Sequence, residues 1–155
     1  EDRLTCSLIA DGHHLPASVV KTIVRAKSVQ QCVLVSDITG MGGMPPGIYE
    51  STAGLGKVEV LEDGRLVVPG QKQLLAGAAL PIGVGIAKVI EYAELSLESA
   101  VNMASLGPAR LLGYHLPKLE VGAKADLVFF NIIDGEFQVV ATVNAGEVVF
   151  QKDQN

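Results

Sequence analysis

The spacing of the hydrophobic positions changes along this chain, and each spacing predicts a different element. Val33, Leu34 and Val35 form a continuous apolar run that ends on Ser36 and Asp37. A run of this kind is typical of a strand buried on both faces, as in a parallel sheet covered by helices. Residues 4–10 form another apolar segment, which predicts a short strand that precedes this one in the sequence.

Between these two strands, the apolar residues recur every three or four positions. The apolar side of this segment consists of Val19, Val20, Ile23 and Val24, while Lys21, Arg25 and Lys27 lie on the opposite side. This pattern predicts an amphipathic helix over residues 17–29. Strand, helix and strand in this order predict a βαβ unit with parallel strands. The polar turn at residues 11–16 and Asp37 are therefore expected at the same edge of the sheet.

The middle of the chain combines a glycine-rich loop, a hairpin and an apolar segment. Residues 39–47 (TGMGGMPPG) predict a shaped turn or a lid, and they lack the Gly-Lys-Ser/Thr ending of a P-loop. Two alternating runs at 57–61 and 65–68 flank Asp63-Gly64, which predicts a β-hairpin. The apolar stretch 74–90 is interpreted as a core helix, with regular helix over 80–93.

Two short helices and three strands are predicted in the last third of the chain. Ser96 is expected to cap one helix, and Pro108 to start a second one that ends at Gly113. Strand-like runs at 126–130, 138–143 and 147–150 predict a small antiparallel sheet, which we expect the hairpin at 57–68 to join.

Composition and charge exclude several classes of partner. The chain has 155 residues, 48% of them hydrophobic, so either its core is unusually full or part of its apolar surface meets another surface. No apolar run reaches the roughly 18 residues of a membrane span. The net charge is −5 and the 12 Lys and Arg residues are scattered, which argues against nucleic acid as a partner.

The cysteines and the first residue bear on where the protein resides. Cys6 and Cys32 form no CxxC motif and lie in or beside apolar runs, as reduced core thiols do. They predict a cytoplasmic protein. The chain shows no signal peptide and begins with Glu1, as a fragment or processed product would.

Three ionisable side chains are candidates for chemistry: Asp37, His13 and His14. A carboxylate at a strand end can accept a proton from water and return it to a leaving group. An imidazole can donate a hydrogen bond to a substrate oxygen or bind a metal. In the structural alternative, Asp37 only caps the following loop and the histidines are solvated. One carboxylate and two adjacent histidines fall short of three converging metal ligands.

Several segments together resemble the N-acetylglucosamine-6-phosphate deacetylases of the amidohydrolase superfamily. The segments are 9–14 (IADGHH), 34–37 (LVSD), 43–47 (GMPPG), 75–80 (LAGAAL), 100–105 (AVNMAS) with 108–110 (PAR), and 119–128 (LEVGAKADLV). The last of these resembles the closing sheet of amidohydrolases in general, whereas the combination is specific to the deacetylase branch.

The resemblance implies the carboxyl-terminal part of a metal-dependent α/β enzyme, a (β/α)₈ barrel with a small antiparallel β-sandwich. Residues 1–56 and 69–116 would form the last barrel units, and residues 57–68 and 117–155 the sandwich portion. The implied reaction is hydrolysis of the acetamide of N-acetylglucosamine 6-phosphate to glucosamine 6-phosphate and acetate.

The resemblance also implies roles for individual residues. Asp37 would be the catalytic acid/base, and His14 would contact the substrate together with Leu75, Ala76 and Gly77. Ala78 stands where the family commonly has serine, and His13 occupies a variable position, so no role is transferred to it.

The metal ligands of this family lie on earlier barrel strands, so zinc or iron would be held outside this chain. The implied partners are an amino-sugar phosphate and either the missing amino-terminal barrel portion or further copies of the chain. Alone, the chain is expected to be inactive. Two alternatives stay open: a non-catalytic α/β module that dimerises or binds a partner, and an amidohydrolase acting on another amide.

Overall fold

The first strands and helix form the predicted βαβ unit. A computed structural model of the chain describes residues 1–51, 54, 56–114 and 118–153. Strand β1 (Cys6–Leu8) pairs in parallel with β2 (Cys32–Leu34), and helix α1 (Ala17–Lys27) connects them. Both strands are shorter than the runs at 4–10 and 33–37 predicted, although the backbone N–H of Val35 still donates to the Leu8 carbonyl at 3.0 Å.

Three further helices follow later in the chain, and the first two of them add buried side chains to the main core. They are α2 (Ile82–Ala93), α3 (Leu97–Ala104) and α4 (Leu106–Leu111). Ser96 caps α3 as predicted, because its Oγ accepts a hydrogen bond from the Ser99 N–H at 3.2 Å. Helix α4 begins two residues before Pro108, which lies in its first turn. The buried side chains of strands and helices meet in one cluster that includes Leu8, Val20, Leu34, Val89 and Met103.

The middle of the chain forms a four-stranded antiparallel sheet. Its strands, in spatial order, are β3 (Gly47–Glu50), β4 (Lys57–Val60), β5 (Arg65–Val68) and β6 (Gln71–Ala78). The hairpin around Asp63-Gly64 is confirmed. Two expectations are wrong: the start of the apolar stretch 74–90 is a strand, and the hairpin pairs with β3 and β6 instead of the last three strands. A second core cluster, with Met41, Val58, Val60, Leu66 and Ala79, lies beneath this sheet.

The last three strands form a separate antiparallel sheet, as predicted. They are β7 (Leu127–Ile133), β8 (Glu136–Asn144) and β9 (Glu147–Gln151). One face packs on α2, where Phe137 contacts Gly83 and stacks on Phe130 with ring centroids 4.3 Å apart. The other face, with Phe129, Ile133 and Val148, is exposed. The expected boundary between residues 116 and 117 lies outside the described residues.

Within the described ranges, no helix is both long and apolar enough to cross a bilayer.

Candidate functional site

The loops that follow β1 and β2 leave the sheet at the same edge. Leu8 lies opposite Leu34 in the parallel register, so Asp11 and Asp37 each follow the aligned pair by the same number of residues. This confirms the geometry expected from the βαβ unit. The edge is the carboxyl end of the strands, where side chains of parallel α/β sheets meet their ligands.

In the first loop, the carboxylate of Asp11 organises the turn that carries both histidines. Its Oδ1 accepts hydrogen bonds from the backbone N–H groups of His13 at 2.9 Å and His14 at 3.0 Å. Its Oδ2 lies 2.8 Å from Nδ1 of the His14 ring. Asp11 is 8% exposed, so this carboxylate is a buried one.

Two opposing effects act on the pKa of Asp11. Burial raises the pKa, whereas the hydrogen bonds from the backbone of His14 and His13 and from the His14 ring lower it. The hydrogen bonds prevail, and the pKa of Asp11 lies below its ordinary value. Asp11 is therefore an ionised hydrogen-bond acceptor at neutral pH.

The ring of His13 points to the hairpin and not to the substrate residues inferred from the sequence. Its Nε2 lies 3.2 Å from the backbone carbonyl of Asp63, in the turn between β4 and β5. Because a carbonyl only accepts, this contact requires a proton on Nε2. His13 therefore joins the histidine turn to the four-stranded sheet, which is a structural role.

Asp37 stands at the start of the second loop in an unusual backbone conformation. Its φ is +53°, in the left-handed region that non-glycine residues adopt infrequently. The side chain is exposed, and no described residue forms a hydrogen bond or ion pair with its carboxylate. The structural alternative, in which Asp37 caps its loop, therefore finds no support, and the carboxylate is available to another molecule.

Contacts with other parts of the chain anchor the glycine-rich loop after Asp37 at its beginning and in its middle. The backbone N–H of Thr39 donates to the carbonyl of Ala78 at 3.0 Å, next to a parallel bridge between Ile38 and Ala78. Met41 is buried in the second core cluster. Of the two interpretations of this loop, these anchors favour the shaped turn over the mobile lid.

The same contacts bring Leu75, Ala76 and Gly77 beside the Asp37 loop. These residues form the last part of β6, immediately before Ala78. Gly77 has a φ of +114°, and a Cβ atom there would lie 2.8 Å from Cγ2 of Thr39. Glycine is thus needed for the strand to approach this loop so closely. The alanine methyl of Ala78, at the position where the resemblance leads one to expect serine, is buried.

No set of three side chains suited to a metal ion is present in the part of the chain that the structure describes. The carboxylate of Asp11 already accepts hydrogen bonds within the histidine turn, and the ring of His13 is hydrogen-bonded to the hairpin. These residues therefore do not fit a catalytic metal site with three protein ligands.

Sequence reasoning missed two residues of this site, Asp11 and Thr39. An Asp-Gly pair after a strand indicates a turn in which the carboxylate caps the following N–H groups, and this signal was available for Asp11. The bond from Thr39 to Ala78 joins residues far apart in the sequence, and no local pattern indicates it.

Comparisons with known proteins agree on one group of enzymes. The amidohydrolase family profile matches residues 5–149. Human (Homo sapiens) N-acetylglucosamine-6-phosphate deacetylase is 35% identical over 148 residues, which cover 94% of this chain and 34% of the human protein. N-acetylgalactosamine-6-phosphate deacetylase of Escherichia coli O157:H7 is 34% identical over 131 residues, covering 83% of this chain and 33% of the relative.

The fold is shared with a solved deacetylase structure. N-acetyl-D-glucosamine-6-phosphate deacetylase from Mycobacterium smegmatis, in a mutant form in complex with N-acetyl-D-glucosamine-6-phosphate, superimposes with a TM-score of 0.83 at 28% identity. The match covers 96% of this chain and 38% of that structure. The chain spans about a third of the length of the human and Escherichia coli O157:H7 relatives.

Proposed function

We propose a function for this chain, which belongs to the amidohydrolase family. It forms the carboxyl-terminal part of a hydrolase that converts N-acetylglucosamine 6-phosphate to glucosamine 6-phosphate and acetate. One observation carries the proposal: the carboxylate of Asp37, which has no partner among the residues that the structure describes, lies at a strand edge, beside the histidine turn and the end of β6. This arrangement occurs in a region that is 35% identical to a deacetylase of that name.

In this proposal, β1 and β2 are the last two strands of a (β/α)₈ barrel. The parallel pairing of these strands and their burial beneath α1, α2 and α3 support it, because barrel strands are parallel and are covered by helices. The smaller β-sandwich portion would contain β7, β8 and β9, while the hairpin at 57–68 stays with β3 and β6 in the four-stranded sheet.

The chemistry assigned to Asp37 is proton transfer during amide hydrolysis. A water oxygen attacks the acetamide carbonyl carbon, and Asp37 accepts the proton that this water loses. The same proton passes to the amide nitrogen as the C–N bond breaks, which releases acetate and the free amine. The exposed carboxylate of Asp37, with no partner among the described residues, supports this role.

Substrate contacts are assigned to His14, Leu75, Ala76 and Gly77. The His14 ring is fixed by Asp11 and half-buried, as suits a side chain that binds a polar group of a sugar. The last residues of β6 approach the Asp37 loop through Gly77, so they would line the same cleft.

The family generally uses a divalent metal ion, for which we propose zinc or iron in the complete enzyme. The described residues of this chain do not fit such a site, so the ligands would come from outside it. We further propose that the partner is the amino-terminal barrel portion or a second copy of the chain. The free thiols of Cys6 and Cys32 support a cytoplasmic location.

Acetate release from N-acetylglucosamine 6-phosphate tests the proposal. The complete enzyme should be active and this chain alone inactive, and Asp37→Asn should lower kcat by about 100-fold or more. Asp134→Asn is a matched control, because Asp134 is also exposed and has a φ of +52°, but lies in the turn between β7 and β8. Robust activity of the lone chain, or full activity of Asp37→Asn, would contradict the proposal.

A second candidate substrate is N-acetylgalactosamine 6-phosphate, which the name of the Escherichia coli O157:H7 relative favours. The two sugars differ only in the configuration of one hydroxyl group. Comparing kcat/KM for both in the same assay decides between them, and a preference for the galactosamine compound would replace the proposed substrate without changing the role of Asp37.

A further inference from the structure

We propose that Asp11 is a positioning residue that fixes the tautomer and orientation of His14, an inference that rests on the substrate-binding role proposed for His14. The two carboxylate oxygens of Asp11 have separate partners. Oδ1 accepts both backbone N–H groups of the turn, and Oδ2 contacts only the ring nitrogen Nδ1 of His14. One oxygen therefore maintains the turn, while the other acts on the imidazole.

The contact with Oδ2 determines which ring nitrogen carries the proton. An ionised carboxylate only accepts hydrogen bonds, so Nδ1 of His14 must be the donor across the 2.8 Å contact. In the neutral ring, Nε2 is then unprotonated and is the nitrogen left for the substrate. Toward the substrate, Nε2 accepts a hydrogen bond when the ring is neutral and donates one when the ring is protonated.

The carboxylate of Asp11 is more deeply buried than a carboxylate that only supports a turn. Asp126 has the same division of contacts, with Oδ1 on the Ala145 N–H at 2.7 Å and Oδ2 on Nζ of Lys124 at 2.7 Å. Its side chain is 47% exposed, whereas that of Asp11 is 8% exposed. Burying a carboxylate costs free energy that a surface turn does not require, so its specific contact with His14 indicates a role beyond the turn.

The substitution Asp11→Asn tests the two oxygens separately. The asparagine carbonyl can replace Oδ1 and keep both backbone hydrogen bonds, while its NH₂ group replaces Oδ2 and donates. His14 must then accept at Nδ1 and carry its proton on Nε2, the opposite tautomer. A carboxylate-to-amide change at a histidine partner is known to select the wrong tautomer in this way.

Nitrogen-15 NMR of the histidine ring reads the tautomer directly in the complete enzyme, with the His14 signal assigned by its loss in His14→Gln. We expect a protonated Nδ1 in the unmodified enzyme and a protonated Nε2 in Asp11→Asn. We also expect kcat/KM to fall roughly tenfold or more in Asp11→Asn, with little change in melting temperature. Asp11→Ala should lower the melting temperature as well, and Asp126→Asn should change neither the His14 signal nor kcat/KM.

Three results would overturn the inference. They are an unprotonated Nδ1 in the unmodified enzyme, an unchanged tautomer in Asp11→Asn, and an inverted tautomer with unchanged kcat/KM. The first is read without any variant and so does not depend on how Asp11→Asn folds. If the unmodified enzyme releases no acetate from either sugar, the proposed function fails, while the NMR result still decides whether Asp11 sets the tautomer.

Discussion

The first βαβ unit and the last three strands differ in how far their apolar residues are buried. Leu8 and Leu34 are 1% and 2% exposed, because helices of the same chain cover them. Val148 and Phe129, in the carboxyl-terminal sheet, are 62% and 52% exposed. The high hydrophobic content therefore has two sources, a closed core and an open sheet face, and composition alone does not distinguish them.

The largest expected difference between these regions comes from the same substitution made in each. Val20→Ala removes two buried carbon atoms from the main core, and Val148→Ala removes the same atoms from an exposed strand. We expect Val20→Ala to lower the free energy of unfolding by about 2 kcal/mol. Val148→Ala should change it by less than about 0.5 kcal/mol. Urea denaturation measures both, and equal losses would mean that the two regions are equally buried.

The contact that joins the two regions predicts a smaller effect. A Cβ atom at Gly83 would lie 2.5 Å from the ring of Phe137, so Gly83→Ala should push α2 and β8 apart and cost about 1–2 kcal/mol. Gly85 lies in the same helix, where a Cβ atom would make only ordinary contacts, at 3.9 Å to the carbonyl of Ala10 and at 4.0 Å to Cδ1 of Ile82. Gly85→Ala should therefore stabilise the protein by up to about 1 kcal/mol, through helix propensity.

Thermal unfolding compares these two glycine variants, with Phe137→Leu as a third. If steric conflict is the cause, Gly83→Ala should cost less in a chain that already carries Phe137→Leu. An additive double variant would show that Gly83 and Phe137 do not interact.

The smallest expected effect concerns the pH dependence of the βαβ edge. The pKa of Asp11 is lowered in the folded chain from an ordinary value of 3.8. The stabilisation linked to this shift is complete above about pH 5 and is lost as the pH falls through the lowered pKa. Relative to Asp11→Asn, the unmodified protein should thus lose unfolding free energy between about pH 5 and 2. A difference that stays constant over this range would contradict the lowered pKa.

Local sequence patterns predicted the elements whose conformation depends on residues that are close together in the sequence. The spacing of Val20 and Val24 predicted α1, and the apolar run ending at Asp37 predicted β2. Asp63-Gly64 predicted the hairpin turn for the same reason, since turn chemistry is a property of adjacent residues. The position of Asp37 at the sheet edge followed from these elements alone.

Pairing between distant segments could not be predicted in this way. The apolar residues of β6 suit a helix as well as a strand, and only the pairing with β5 and the positive φ of Gly77 settle the conformation. Strand β3 was missed because Gly47–Glu50 is short and depends on β4 for its hydrogen bonds. The role of His13 likewise depends on a carbonyl in the hairpin, which belongs to a different part of the sequence.

The hydrogen bond from Thr39 to the carbonyl of Ala78 has a kinetic consequence. Free loops move within nanoseconds to microseconds, but this bond ties the loop after Asp37 to the end of a four-stranded sheet. The start of this loop is therefore expected to move with the end of β6 and not independently of it.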